Sequence, residues 1–144
     1  EEALLRTKEM YKILHASGIN IMRVGLKSTD IIGGSDLSAI NGGSYHPAFR
    51  QLVEGEIAYE TLKAQLDALM EQISARAVAD RQNPSDISNP RYKVDLFSNP
   101  QSFSNMIGNC GINKERLSAE YPNFDIRYRT DASLARDIYI AKLK

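Results

Sequence analysis

Two short stretches of the chain combine residue types that could bind a ligand. The first, GGSYHPAFRQLVEGE at residues 42–56, places one of only two histidines between a glycine pair and a predicted helix. The second, MIGNCGINKERL at residues 106–117, sets two glycines around an asparagine and the only cysteine, with basic residues after them. Because glycine loops and helix N-termini expose backbone N–H groups, both stretches are candidates for binding phosphate or carboxylate groups.

In the first stretch, we predict that Gly43, Tyr45, His46 and Arg50 contact a substrate or another anion. A lone histidine without a neighbouring cysteine, aspartate or second histidine is a poor metal site. A general base needs a partner within hydrogen-bond reach, and the sequence offers no obvious one. We therefore assign no catalytic or metal-binding residue. The plainer alternative is that His46 caps or flanks the start of a helix.

In the second stretch, Gly108 and Gly111 stand between two short predicted helices, after one predicted strand and before another. This order resembles a KH-type nucleic-acid domain, whose G-x-x-G loop grips the sugar–phosphate backbone. The resemblance makes Gly108, Gly111, Lys114 and Arg116 candidate RNA-binding residues. KH loops usually carry a basic residue between the glycines, where this chain has asparagine and cysteine. The plainer alternative is a helix that ends at a glycine and is followed by a turn.

The charge composition predicts no overall field that would attract nucleic acid or a membrane. The chain has 18 basic and 18 acidic residues, and no apolar run approaches the roughly 20 residues that a membrane helix needs. The balance differs along the chain, since residues 1–80 carry 8 basic and 11 acidic residues, whereas residues 81–144 carry 10 and 7. This asymmetry is compatible with two units of different function.

Cys110 is the only cysteine, and it limits the metal and redox chemistry of the chain. One thiol cannot form an internal disulfide, a structural zinc site or an iron–sulfur cluster, which needs several thiolates. We therefore expect a cytoplasmic protein with no cofactor bound to this chain. The sequence opens on Glu1 without a methionine and enters a helical pattern at once, which predicts a piece of a longer protein.

The beginning of the chain predicts a helix, a buried strand and a long loop. Residues 2–17 have apolar residues at helical spacing, and Gly18 suits the left-handed position that ends a helix. Residues 19–26 are apolar on both faces, which is typical of an interior strand in a parallel sheet. The loop at residues 27–44 contains four glycines and four serines, and long loops in compact domains are usually functional or disordered.

A long second helix is predicted over residues 47–73. Pro47 suits its first position, because the missing N–H costs nothing there, and Gly55 is a weak point that could bend the helix. The apolar residues form one broad stripe that includes Leu62 and Leu66. This amphipathic pattern favours packing against a sheet, a partner or a second copy of the chain.

The pattern changes after a polar linker with two prolines at residues 80–90. Residues 91–97 and 124–130 alternate between apolar and polar side chains, which predicts two half-exposed strands. Two short helices lie between them, and a third strand is predicted over residues 136–143. The sequence therefore predicts an α/β (α+β) protein whose last part has the order β-α-α-β-β. The two predicted units are residues 1–78 and 85–144.

The text GINIMRVGLKSTDII, followed by GGSYHPAFRQLVEGEIAYE, resembles the C-terminal region of radical SAM proteins. The similar family comprises oxygen-independent coproporphyrinogen oxidase-like and elongator-type iron–sulfur oxidoreductases. The first set of matching positions comprises Arg23, Gly25, Leu26, Thr29, Gly43, Tyr45, His46, Pro47, Ala48, Phe49, Arg50, Leu52, Val53 and Glu54. A second set comprises Asn99, Pro100, Ser104, Ile107 and Gly108. The resemblance covers most of residues 10–117 and is strongest at 19–57.

The resemblance implies that residues 1–78 are the last helix and strand of a partial barrel, with the extension helix after them. It also implies a [4Fe–4S] cluster and S-adenosylmethionine in an upstream part that this chain does not include. On this reading the chain alone is not an enzyme. It contacts the rest of the radical SAM protein, supplies residues on the substrate side and docks RNA, because elongator-type relatives act on tRNA. The alternative is an interaction module that forms a homodimer through helix 47–73.

Overall fold

The computed structural model describes residues 1–26, 46–79 and 91–144. Within them the protein is of mixed α+β class, with four α-helices and one three-stranded sheet. The chain divides into two compact units, Glu1–Glu54 and Gly55–Lys144. The division falls inside the long second helix, whereas the sequence predicted a boundary in the linker between residues 78 and 85. The later part of that helix belongs with the sheet because its apolar stripe packs there.

Helix α1, Glu2–Ala16, forms the start of the first unit. Its end follows the predicted signal: Gly18 has φ +70° and its N–H donates to the carbonyl of His15. A left-handed residue at this position lets the last carbonyls of a helix find donors, and glycine adopts that conformation without a Cβ penalty. The glycine prediction for the end of α1 is therefore confirmed.

The predicted strand at residues 19–26 is not a strand in the structure. Its backbone has no ladder partner in the described part of the chain, and most of its side chains are exposed, including Ile19, Met22 and Leu26. An interior strand needs neighbouring strands to take up its N–H and C=O groups. Residues 19–26 are rich in apolar side chains, as the pattern indicated, but no strand among the described residues pairs with them.

Helix α2 spans Phe49–Ala79 and is longer than predicted at its C-terminal end. Gly55 does not break it. A Cβ at Gly55 would lie 3.7 Å from the carbonyl oxygen of Asn105 and 3.8 Å from the Cα of Gly108, which are ordinary van der Waals distances, so packing does not require glycine there. None of the described helices is both long and apolar enough to cross a bilayer.

The apolar stripe of α2 is used inside the second unit. Leu62 and Leu66 are fully buried in the core that α2 forms with the sheet and the short helices. These leucines are therefore not available to a second copy of the chain. Truncating a buried leucine to alanine costs on the order of 2–5 kcal/mol, so a contact that drew these two leucines out of the core would be costly. The homodimer through helix 47–73 stays a prediction.

The sheet of the second unit contains β1 (Tyr92–Ser98), β2 (Phe124–Thr130) and β3 (Tyr139–Leu143), in the order β2-β1-β3. Strand β1 pairs in parallel with β2 and antiparallel with β3. Between β1 and β2 lie a 3-10 turn at Pro100–Ser102, helix α3 (Phe103–Ile107), a second 3-10 turn at Asn109–Gly111 and helix α4 (Ile112–Glu120). The predicted order β-α-α-β-β is confirmed, although β3 begins later than expected.

One face of the sheet packs on the helices. The buried members of this core are Ala58, Tyr59, Leu62, Leu66, Val94, Leu96, Met106, Leu117, Tyr121, Phe124 and Tyr139. Alternate residues of β1 lie on the other face, where Asp95 is nevertheless buried. The sequence predicted an exposed position for this aspartate, and the difference arises because Asp95 lies on the central strand between two neighbours.

Polar contacts join α2 to α4 beside the core. Glu120 accepts a hydrogen bond from the hydroxyl of Tyr59, and its carboxylate lies 3.1 Å from the amine of Lys63. The hydroxyl of Tyr121 donates to Asp67 one turn further along α2. The hydrogen bond from Tyr59, followed by the hydrogen bond from Lys63, holds the pKa of Glu120 below its ordinary value. Helix α4 is thus fixed on α2 by charge-assisted hydrogen bonds as well as by apolar packing.

Replacing Glu120 with glutamine should reduce stability at neutral pH by an amount that shrinks in acid. The folded-state pKa of Glu120 is depressed, so its contribution is complete above the ordinary pKa of about 4.3 and disappears as the pH falls through the folded value. Urea unfolding at several pH values between neutral and acidic conditions measures this difference. Glu115→Gln, on the same helix, controls for the loss of one negative charge. A pH-independent difference would contradict the prediction.

Candidate nucleic-acid interface

The turn at residues 108–111 connects α3 to α4 and has three residues with positive φ: Gly108 at +81°, Cys110 at +53° and Gly111 at +81°. The N–H of Gly108 donates to the carbonyl of Ser104, and the N–H of Gly111 donates to the carbonyl of Gly108. The chain therefore reverses within four residues. The G-x-x-G stretch lies where the sequence predicted it, between two short helices that are flanked by strands.

The two glycines of the turn have different surroundings. Gly108 is buried, and a Cβ there would lie 2.7 Å from the side-chain carbon Cγ and 2.9 Å from the backbone nitrogen of Asn113. A Cβ at Gly111 would meet no atom of the described residues within 4 Å, apart from its own chain neighbours. Gly108 is thus required by close packing, whereas Gly111 is required only by its backbone conformation and leaves open space beside the turn.

Asn113 is the residue that fixes this turn, and sequence reasoning missed it. Its side chain is 1% exposed, and its amide nitrogen donates to the carbonyls of Gly55 at 2.8 Å and Asn105 at 3.1 Å. One amide group therefore binds α2 and α3 to α4. The only sequence signal was an asparagine inside a short helix, where it is a poor helix former.

The basic residues near the turn differ in their availability. Lys114 is exposed. Arg116 instead forms two hydrogen bonds to the carboxylate of Glu56, at 2.7 and 3.2 Å, and its guanidinium lies 3.5 Å from the ring centroid of Tyr59. The hydrogen bond to Glu56 raises the pKa of Arg116 above its ordinary value. Arg116 therefore holds α4 on α2, and Lys114 is the cation beside the turn that a phosphate could reach.

Of the four residues predicted in the first stretch, the structure describes His46 and Arg50. Gly43 and Tyr45 lie outside the described residues. His46 is exposed, and its Nδ1 atom accepts a hydrogen bond from the N–H of Ala48 at 3.1 Å. This contact matches the alternative in which His46 caps the start of the helix.

Arg50 is engaged inside the first unit. Its Nε atom donates to the carboxylate of Glu54 at 2.7 Å, and its Nη1 atom donates to the carbonyl of Ile21 at 3.2 Å. The hydroxyl of Tyr11 donates to the same oxygen of Glu54 at 2.8 Å. Burial, and then the hydrogen bond to Glu54, raises the pKa of Tyr11. The i,i+4 spacing of Arg50 and Glu54 was the sequence signal for this pairing.

The residues of this chain do not fit an iron–sulfur cluster. Such clusters are held by several cysteine thiolates, and the only cysteine, Cys110, is exposed at the turn. Among residues 1–26, 46–79 and 91–144, no group of three or more His, Cys, Asp or Glu side chains is arranged to hold a metal ion. We therefore derive no step through a cluster from the residues of this chain.

Alanine at Gly108 should cost more stability than alanine at Gly111. Gly111→Ala should cost about 1–2 kcal/mol of unfolding free energy for a left-handed alanine. Gly108 has φ +81° and ψ 161°, a region that is essentially restricted to glycine, and a Cβ there would also overlap Asn113. We expect Gly108→Ala to lower the stability by several kcal/mol more, measured by urea unfolding. Equal losses in the two variants would mean that neither the backbone of Gly108 nor its contact with Asn113 opposes a side chain.

Comparison with protein-family models, with curated proteins and with solved structures found no match to the chain. The functional interpretation therefore rests on the residues and contacts described above.

Proposed function

We propose that the second unit binds single-stranded RNA through the turn at residues 108–111, in the manner of a KH-like domain. The observation that supports this best is the turn itself. It is a G-x-x-G reversal between two helices, and Gly111 leaves the space beside it open. The flanking strands β1 and β2 lie side by side in parallel, so that the turn belongs to one compact β-α-α-β unit. KH domains use such a loop to clamp the nucleic-acid backbone.

The charges near the turn favour a backbone contact that depends on salt. Lys114 follows the turn closely and is exposed, so its ammonium group can approach a phosphate. Arg116 supports the site indirectly, because it fixes α4 on Glu56 and Tyr59. The side chains within the turn, Asn109 and Cys110, add no charge. We therefore expect modest affinity that falls as the salt concentration rises.

Two aspartates in the turn should abolish this binding without unfolding the unit. In Asn109→Asp combined with Cys110→Asp, two negative charges would repel the phosphates, and aspartate tolerates the positive φ of Cys110 better than most residues. Fluorescence anisotropy with a labelled RNA of about ten nucleotides at low salt measures the affinity. The matched control is Ser74→Asp combined with Ala75→Asp, at exposed positions of α2. Undiminished binding by the turn variant would exclude the proposed site.

A second proposal concerns the first unit, which we infer is the part of a radical SAM protein that packs against its catalytic barrel. The chain itself is then non-catalytic, and the cluster and S-adenosylmethionine are bound upstream. The supporting observation is an unusual exposure of apolar side chains in this unit. The exposed members are Leu5, Met10, Ile13, Ile19, Met22 and Leu26.

These side chains are arranged as an incomplete packing surface. On α1, at 100° per residue, Met10 and Ile13 lie on the side away from Lys8 and Tyr11, the two buried residues. The segment after α1 adds Met22, which is 88% exposed. Large apolar side chains that are exposed at neighbouring positions of a helix mark a candidate contact with another protein surface. We propose that these exposed apolar side chains contact the rest of the protein.

The coding sequence upstream of Glu1 provides the first test of this proposal, because it should contain a loop with three cysteines. Co-expression of that upstream part with the present chain should then yield a complex that copurifies. Ile13→Asp combined with Met22→Asp should prevent copurification, because two charges would be buried without partners. Ile138→Asp, at an exposed isoleucine of the second unit, is the matched control. An upstream sequence without the three cysteines would remove the radical SAM proposal.

A further inference from the structure

The sheet of the second unit has a face that the helices do not cover. The strand register places alternate residues of all three strands on it. We call it the open face, and its residues are Lys93, Asp95, Phe97, Asp125, Arg127, Arg129, Ile140 and Lys142. Because α3 and α4 pack on the other face, this surface is separate from the turn at residues 108–111. We propose that the open face binds single-stranded nucleic acid, which goes beyond the function proposed above.

The charge of the open face favours a polyanion. It carries four cations, Lys93, Arg127, Arg129 and Lys142, and all four are exposed. It carries two acids, Asp95 and Asp125, so a net positive charge remains. The chain as a whole is neutral, which means that this excess is a local property of one surface. Clustered Lys and Arg on one face are the electrostatic signature of nucleic-acid binding.

An aromatic ring lies at the centre of these cations. Phe97 is on the central strand, where its register partners are Arg129 on β2 and Ile140 on β3. The amine of Lys142 lies 5.4 Å from the centre of the Phe97 ring. The ring is partly exposed. Sequence-tolerant binding of single strands combines a basic surface for the phosphates with an aromatic face on which a base stacks.

The two acids of this surface each pair with one arginine. The carboxylate of Asp125 lies 3.7 Å from a guanidinium nitrogen of Arg127, so that Lys93 and Lys142 supply the net positive charge. The Oδ2 atom of Asp95 lies 3.1 Å from the Nε of Arg129, the register partner of Phe97. The Oδ1 atom of Asp95 is buried and has no hydrogen-bond donor among the described residues. A buried acceptor without a donor is costly. This cost would be relieved when a bound group, or a shift of Arg127 at the register position opposite, supplies a donor.

A single strand of nucleic acid fits this arrangement better than an acidic peptide does. Both would match the positive charge, but only the nucleic acid supplies flat bases that stack on Phe97. The spacing also suits an extended ligand, because Arg127 and Arg129 are two residues apart on one strand, about 7 Å between their Cα atoms. The proposed contacts need only phosphates and a stacking base, which RNA and single-stranded DNA both have. The experiment therefore compares the two nucleic acids.

Removing the charges and the ring of the open face tests the proposal. Arg127→Gln combined with Lys142→Gln should weaken binding of a labelled RNA of about ten nucleotides in fluorescence anisotropy. The slope of log affinity against log salt should become shallower by about 0.7 for each phosphate that the variant no longer neutralises. Phe97→Leu, which keeps an apolar side chain in the strand, should weaken binding about tenfold because a base can no longer stack there. Thermal unfolding of each variant verifies that the fold is intact.

The matched control is Arg6→Gln combined with Arg76→Gln, which removes two exposed cations elsewhere. Weakened binding by the open-face variants, with the control unchanged, supports the inference even if the aspartate variant of the turn binds normally. Open-face variants that bind as the wild type overturn it, even if the turn variant loses all binding. Displacement of the RNA by polyglutamate at equal charge concentration would also overturn it. Equal affinity for the matching DNA assigns recognition to phosphates and bases, whereas preference for RNA adds the ribose hydroxyl.

Discussion

The buried amide of Asn113 is the interaction on which the second unit depends. It donates to carbonyl groups of α2 and of α3 while its own backbone belongs to α4. Such a bond has a high penalty when broken, because each carbonyl that loses its donor stays away from water. Asn113 can lie this close to the turn only because Gly108 lacks a side chain, since a Cβ there would lie 2.7 Å from the Cγ of Asn113. The position of the turn therefore depends on the side chain of Asn113 and on the absence of one at Gly108.

The parts of the fold that the sequence predicted correctly are those in which the pattern is local. The alternation in β1 and β2 and the glycine after α1 reflect the geometry of consecutive residues. The strand expected at residues 19–26 is different, because a strand exists only when another strand pairs with it. The segment is indeed apolar, but its own sequence does not show which strand, if any, would pair with it.

The candidate sites show the same limit. A G-x-x-G stretch can be recognised in a sequence, and so can the cations that follow it. Whether a cation is available depends on residues that are distant in the sequence. Arg116 is bound to Glu56, which lies 60 residues away, whereas Lys114 is exposed. Asn113 and the open face could not be predicted for the same reason, since both depend on how strands and helices are brought together in space.

The position of β1 at the centre of the sheet has a consequence for biosynthesis. It is the first of the three strands to be translated, yet both of its neighbours come later in the chain. Until they emerge, an apolar strand with Val94 and Leu96 has two unpaired edges, a condition that favours aggregation of nascent chains. Helix α2 precedes it and can shield one face during that interval. The three-stranded sheet can therefore form completely only after β3, which ends at Leu143, has left the ribosome.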